Sequence, residues 1–163
     1  MKVCSFTGHR RIDKAHTEKI GSLVARAIEY SYSEGCRRFI AGGALGFDTV
    51  AAREVIRFRM KHPDVCFVLY LPCLDQDKKW TERQRSLYEY LLSEADEVVY
   101  VSDEYTEGCM RERNRRLAEE ADILIAYVSR YNSGAWQTVS MAKKLGKAVY
   151  NLYPTLKEGE KDV

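Results

Sequence analysis

The sequence has little that would mark a membrane-bound, disulfide-stabilised or metal-dependent protein. No apolar run approaches the roughly 20 residues that a membrane-spanning helix needs, so we expect no membrane partner. The five cysteines are odd in number and include no CxxC pair, which predicts reduced thiols in a cytoplasmic protein. The strand-like run at Val3–Phe6 leaves no room for a signal peptide. The three histidines show no metal-ligand spacing with cysteine or acid, so no metal site is predicted.

Strong charge of either sign is also lacking. The net charge is +2 over 163 residues, which is too small to predict a nucleic acid or an anionic membrane as a partner on electrostatic grounds. The length suits a single domain, and 45% hydrophobic with 31% charged residues is typical of a globular chain. We predict one domain over residues 1–153 and a charged tail over residues 154–163 that frays.

Two periodicities alternate along the chain. Five helical patterns, such as the apolar stripe from Ile20 to Ile28, separate short apolar runs of strand length. The six runs are Val3–Phe6, Phe39–Ala41, Cys66–Leu71, Glu97–Val101, Ile123–Val128 and Ala148–Leu152. Because the runs mostly lack polar alternation, they predict parallel strands covered on both faces. The fold class is therefore α/β: a three-layer α/β/α, Rossmann-like domain with about six parallel strands.

The connections that leave the strands are richer in glycine and polar residues than those that enter them. In a doubly wound sheet these leaving loops meet at one edge, where ligands bind. Thr7, Gly8, His9 and Arg10 follow the first strand and suit an anion or a ribose phosphate. A second loop offers glycine backbone and a helix N-terminus to a phosphate group. Its candidate residues are Gly42, Gly43, Gly46 and Asp48.

Several of these residues have two interpretations that the sequence leaves open. Asp48 would either favour the helix dipole or accept hydrogen bonds from ligand hydroxyl groups. Arg113 and Asn114 lie on the inward face of the fourth helix, where they would contact a ligand or tie down loops through backbone carbonyls. The neighbouring Arg111, by contrast, is interpreted as part of a solvated helix face. Trp136 would stack on a base or act as a packing anchor.

The last loop that is rich in glycine and polar residues precedes the fifth helix, and it provides a second helix N-terminus for an anion. Its candidate ligand-binding residues are Ser133, Gly134 and Thr138.

Together, the segments Cys4–Arg10 and Gly42–Asp48 resemble the SLOG superfamily, and within it the YpsA-like proteins, with a weaker match from Ser133 to Gly146. The superfamily also includes the LOG phosphoribohydrolases, molybdenum cofactor carrier proteins and part of DprA. The resemblance implies a parallel sheet ordered 3-2-1-4-5-6 and a pocket for nucleotide-derived ligands. In the LOG hydrolases a catalytic Glu precedes the final strand, and here that position is Met141. A thioether cannot act as an acid or base, so LOG-type cleavage is disfavoured.

The leading functional hypothesis is binding or sensing of a nucleotide-like small molecule related to NAD or ADP-ribose. One alternative is a hydrolase acting on a nucleotide or nucleoside phosphate, with His9 or Asp48 as acid or base. A second alternative, single-stranded nucleic-acid binding, is the least favoured because the net charge is near zero. The residues indicate no particular cofactor, and a homodimer is expected only as a common default.

Overall fold

The structure, a computed structural model, describes residues 1–129 and 131–160. Strands and helices alternate through the chain, and all six predicted strands and the five predicted helices are present. The strands are β1 (Lys2–Gly8), β2 (Cys36–Ala41), β3 (Cys66–Cys73), β4 (Glu97–Ser102), β5 (Ile123–Tyr127) and β6 (Ala148–Asn151). The helices are α1 (Ile20–Ser33), α2 (Phe47–Arg59), α3 (Glu82–Glu94), α4 (Cys109–Glu120), α5 (Gly134–Lys144) and α6 (Tyr153–Glu160), with a 3-10 turn at Lys14–His16.

All six strands are parallel and form one sheet in the order β4-β3-β2-β1-β5-β6. The α/β Rossmann-like class is confirmed, but the predicted order 3-2-1-4-5-6 is wrong in the position of β4. That strand pairs with the free side of β3, with Val68 beside Glu97 and Tyr70 beside Val99. Because β4 has no fully buried residue whereas every residue of β5 is buried, β4 suits the edge and β5 the centre.

Apolar side chains cover both faces of the sheet, as the continuous apolar runs predicted. Alternate residues of one strand point to opposite faces, so Phe39 packs with α1, α2 and α3 while Ile40 packs with Leu117 of α4. On the α4 and α5 face, Leu124 and Ala126 of β5 pack in a further cluster with Val139. The direction of winding therefore changes between β1 and β5, where the chain switches from one face to the other.

The end of the described chain differs from the prediction of a frayed tail, because residues 153–160 form α6. Leu156 is buried, and together with Leu152 it joins the cluster under α1 and α2. Pro154 lies in the first turn of α6, where its missing N–H costs no helical hydrogen bond. The Tyr153 hydroxyl donates to the Asp13 carboxylate, which ties α6 to the turn before α1. Residues 161–163 of the predicted tail lie outside the described part.

Across residues 1–129 and 131–160, no helix combines the length and the apolar character that a membrane crossing requires.

Candidate functional site

A cavity of about 510 Å³ opens at the carboxyl edge, the edge of the sheet where the strands end. It lies at the point where the β1 and β5 loops diverge to opposite faces, which is the position expected of a ligand site in this fold class. Loops after β1 and β2 and the first turns of α4 and α5 form its walls. Nine of the thirteen predicted ligand-binding residues line this central cavity: Thr7, Gly8, His9, Arg10, Asp48, Arg113, Asn114, Ser133 and Gly134.

The other four predicted residues lie outside the central cavity. Gly43 and Gly46 line a second, smaller cavity between the β2–α2 loop and α3. Gly42 is buried, and its carbonyl accepts a hydrogen bond from Arg113. Thr138 is also buried, and its hydroxyl donates to the Gly134 carbonyl at 2.9 Å. These residues support the walls of the cavity from behind.

Two glycines of the β2–α2 loop permit close approaches that a side chain would block. Gly46 has a φ of 81°, and a Cβ there would lie 2.2 Å from the backbone oxygen of Arg10. A Cβ at Gly42 would lie 2.8 Å from both the Arg113 guanidinium and the Asp48 carboxylate. The glycine pattern therefore holds the β1 and β2 loops together and lets two charged side chains meet beneath them.

Arg113 is the most deeply placed cation of the site, with 5% of its surface exposed. It donates to the Gly42 carbonyl, and its Nε donates to the Asn114 side-chain oxygen at 2.8 Å. Burial lowers the pKa of Arg113, while the nearby Asp48 carboxylate opposes that shift. The interpretation in which Arg113 ties down a loop carbonyl therefore applies. Arg113 also lines the central cavity, and its contact with a ligand stays a prediction.

Asp48 is the buried acid of the central cavity, with 5% of its surface exposed. Its Oδ2 accepts a hydrogen bond from the Ala44 N–H at 3.2 Å, whereas Oδ1 has no partner among the residues that the structure describes. Burial raises the pKa of Asp48 to about 6, and the charges of Arg113 and Arg10 limit the rise. An oxygen left unpaired in a buried position is costly unless a ligand or water satisfies it.

His9 is buried and holds the start of the β5–α5 loop. Its Nε2 lies 2.8 Å from the backbone nitrogen of Ser129. Because a backbone N–H can only donate, Nε2 is the acceptor and the ring proton of the neutral imidazole is on Nδ1. In this arrangement Nε2 accepts the hydrogen bond from the Ser129 N–H and is not available as a general base.

The start of α5 presents backbone donors to the central cavity. Ser133 caps the helix, and its Oγ accepts from the Trp136 N–H at 3.0 Å. The N–H groups of Gly134 and Ala135 precede any intrahelical acceptor, and both residues line the cavity. The helix dipole adds partial positive charge at the same place.

The structure adds residues that the sequence interpretation did not single out. Arg11 directly follows the predicted Thr7–Arg10 segment, while Tyr105 and Glu107 belong to the long β4–α4 connection. Arg111 lines the cavity instead of serving only a solvated helix face. Arg10, Arg11 and Arg111 are exposed, and none forms an ion pair with another described residue.

No cluster of three or more histidine, cysteine or acidic side chains suited to a metal ion occurs in the parts of the chain covered by the structure.

Comparisons with known proteins agree with this architecture. A relative, the uncharacterized SPbeta prophage-derived protein YoqJ of Bacillus subtilis (strain 168), is 30% identical over 146 residues, covering 81% of this chain and 85% of its own length. DNA processing protein A (DprA) of Streptococcus pneumoniae superposes with a TM-score of 0.65 at 17% identity. The same protein of Helicobacter pylori superposes with a TM-score of 0.63 at 18% identity. At these identities the two DprA structures show a shared fold.

The shared region covers 91% of this chain in both DprA comparisons, but only 49% of the pneumococcal chain and 63% of the Helicobacter chain. The chain thus spans about half to two thirds of those proteins. The family match is more direct, because the sequence pattern of the YspA SLOG family covers residues 6–154, which include every residue that lines the central cavity. The resemblance to SLOG proteins is confirmed, and the chain belongs to the YspA SLOG family.

Proposed function

We propose that the central cavity binds a nucleotide-like small molecule of the NAD or ADP-ribose type. The observation that carries the proposal is the buried Asp48 Oδ1, which has no partner among the described residues and lines the same cavity as exposed, unpaired arginines. A ligand with phosphate and ribose groups would satisfy both kinds of residue. Phosphate oxygens would accept from Arg10, Arg111 and the first turn of α5. A ribose hydroxyl would donate to Asp48.

The size of the central cavity is consistent with such a ligand. Its volume of about 510 Å³ lies within the range of roughly 300–1,000 Å³ that is typical of small-molecule sites. Its lining mixes cations with an acid rather than presenting cations alone, since Asp48 and Glu107 face the same space as the arginines. This mixture favours a ligand that has hydroxyl donors as well as phosphates.

The hydrolase alternative now depends on Asp48. His9 already uses Nε2 to hold the Ser129 N–H. Asp48, whose pKa burial raises to about 6, has the proton affinity that suits an acid or base near neutral pH. Met141 lies in a groove between α4 and α5 and does not line the central cavity, and LOG-type chemistry stays disfavoured because a thioether cannot act as an acid or base.

Single-stranded DNA is the second candidate because of one comparison. The Helicobacter pylori DprA structure is described in terms of a single-stranded DNA binding mode, and its fold matches this chain. A nucleic-acid ligand would use the same exposed arginines, and its affinity would fall steeply with salt as condensed counterions are released.

A thermal-shift screen tests these proposals. The panel contains NAD, ADP-ribose, AMP, cyclic nucleotides, ribose 5-phosphate and a short oligodeoxythymidine. A compound present at about 100 times its dissociation constant adds roughly 2.7 kcal/mol of stability. Stabilisation by a nucleotide, with products absent after prolonged incubation, supports a binding protein, whereas product formation supports the hydrolase. Stabilisation by the oligonucleotide alone, lost in high salt, supports the DNA candidate.

A charge reversal at the cavity sharpens the test. Arg111→Glu places a negative charge beside the proposed phosphate, so we expect the shift of any nucleotide hit to disappear. Arg116→Glu is the matched control, because Arg116 is on the same helix but outside the central cavity. Equal loss in both variants, or retention in both, contradicts the proposed site.

A further inference from the structure

A second cavity, of about 260 Å³, lies beside the central cavity at the carboxyl edge. It is bounded by the β2–α2 loop on one side and by α3 and the residues just before it on the other. Arg10 lines both cavities, and the backbone of Gly46 lies directly against that of Arg10. The two cavities are therefore neighbours that share Arg10, and a ligand that extends past this residue would occupy both.

The walls of the second cavity are aromatic and aliphatic, unlike those of the central cavity. The Trp80 and Tyr88 rings meet edge to face with centroids 5.1 Å apart, and Leu45 and Leu87 line the same space. Arg10, Thr49 and the amide side chain of Gln84 interrupt this apolar lining. Gln84 accepts from the Thr81 N–H through Oε1, while its amide nitrogen has no acceptor among the described residues. A flat ring with an acceptor on its edge matches such a lining.

We infer that the Trp80 cavity is a planar-ring subsite that takes the nucleobase of a ligand whose phosphate and ribose occupy the central cavity on the other side of Arg10. The inference rests on the proposed function, and it extends that function by naming the site at which the base binds. The base would stack on the aromatic wall, and the amide nitrogen of Gln84 would donate to the base edge. Arg10 at the junction would neutralise the phosphate that lies next to the base-bearing sugar.

The second tryptophan provides an internal control. Trp136 lies in the groove between α4 and α5, away from the Trp80 cavity, and its ring meets Tyr131 edge to face with centroids 5.8 Å apart. The chain contains only these two tryptophans. Trp136→Phe therefore leaves Trp80 as the single tryptophan reporter, and Trp80→Phe leaves Trp136.

The experiment compares AMP with ribose 5-phosphate, which lacks the base. Both compounds are titrated by calorimetry, and the tryptophan fluorescence of the two single-tryptophan variants is followed. We expect AMP to bind roughly ten- to a hundredfold more tightly than ribose 5-phosphate, as base stacking on an aromatic side chain provides. AMP should change Trp80 emission in Trp136→Phe, whereas ribose 5-phosphate should not, and Trp136 emission in Trp80→Phe should respond alike to the two compounds. Trp80→Leu should remove the advantage of AMP without weakening ribose 5-phosphate.

Other outcomes separate the two proposals. If both compounds bind equally, or if AMP changes only Trp136 emission, the ring subsite is wrong while the phosphate site stands. If neither compound nor any nucleotide of the wider panel binds, the proposed function and the ring subsite both fail. If Trp80→Leu does not fold, the fluorescence comparison in the two conservative phenylalanine variants still decides the outcome.

Discussion

At the amino ends of the strands, three arginines form ion pairs with carboxylates. At the carboxyl ends, several arginines form no ion pair with another described residue. Arg37 contacts Asp64 at 3.0 Å, Arg38 contacts Glu97 at 2.7 Å, and Arg59 contacts Glu94 and Asp96 at 2.8 Å each. These pairs surround the residues that enter β2, β3 and β4. At the carboxyl edge, exposed arginines and a buried carboxylate oxygen face an open cavity instead.

The difference indicates what each edge contributes. Paired charges at the amino edge satisfy themselves and need nothing from outside the chain. At the carboxyl edge the buried Asp48 Oδ1 is costly unless water or a ligand satisfies it. The exposed arginines are hydrated, and their charges are available to an anion. The contrast thus separates an edge whose charges pair with one another from an edge whose charges face an open cavity, although the same residue types occur at both.

The largest effect that would test this contrast concerns two glycines with similar positive φ angles. Gly46, at the carboxyl edge, and Gly146, at the amino edge, have φ values of 81° and 76°. Gly46→Ala should lower the free energy of unfolding by at least about 4 kcal/mol, because its Cβ meets the Arg10 backbone. Gly146→Ala has open space and should cost only about 1 kcal/mol. Urea unfolding measures both, and similar costs would contradict the close loop contact.

A second test uses the opposite pKa shifts at the two edges. Burial raises the pKa of Asp48 from 3.8 to about 6, so the folded state binds this proton more tightly than the unfolded state. The stabilising contribution is complete below about pH 4 and is lost as the pH rises to about 6. We expect a fall of about 3 kcal/mol over that range, which Asp48→Asn should lack.

Urea unfolding of the parent and Asp48→Asn between pH 4 and pH 7 measures this difference. Other titratable groups contribute equally to the free energy of unfolding of both proteins, so their contributions cancel in the difference. A stability difference between the two proteins that stays constant over this range would show that Asp48 is not desolvated as the structure indicates.

The smallest expected effect is at the amino edge. Pairing with Arg38 lowers the pKa of Glu97, so its contribution to stability is present above the ordinary glutamate pKa and is lost as the pH falls. Glu97→Gln should cost less than about 1 kcal/mol at neutral pH, because the pair is partly exposed. At about pH 3 the cost should vanish. A larger loss of unfolding free energy, or any effect of this variant on nucleotide binding, would contradict the distinction between the two edges.

Strand and helix periods are sufficient to predict the six strands, the first five helices and the edge that holds the cavity, but not α6 or the order of the strands. Glu97 and Tyr100 give β4 an exposed character that marks an edge strand, whereas the uninterrupted apolar run of β5 suits the centre. The strand order 3-2-1-4-5-6, which the family resemblance implies, disagrees with this local difference between β4 and β5. The sequence does not predict α6 because the core contribution of this helix is small: Leu156 is its one buried apolar member of the cluster, and Tyr153 is partly buried against it.

The site residues show a similar limit. The residues of the loop after β1 line the central cavity, as expected where polar residues directly follow a buried strand. Arg111 was assigned to a solvated face because its charged neighbours alternate in sign, a pattern that carries no information about which loops fold over the helix start. The glycines of the β2–α2 loop were expected at the phosphate. Their observed role, close packing of Gly46 against Arg10, depends on a tertiary contact between distant segments.

The change of winding direction also has a kinetic consequence. The two strands that flank the cavity, β1 and β5, are neighbours in the sheet, yet Cys4 pairs with Ile123 across most of the chain. Contacts of such high sequence separation form slowly, because a long loop must close before they stabilise anything. The first four strands can associate earlier, leaving one side of β1 open as an unpaired edge. A nucleotide bound between the β1 and β5 loops would therefore affect only the last step of folding, because it would slow the separation of β1 from β5.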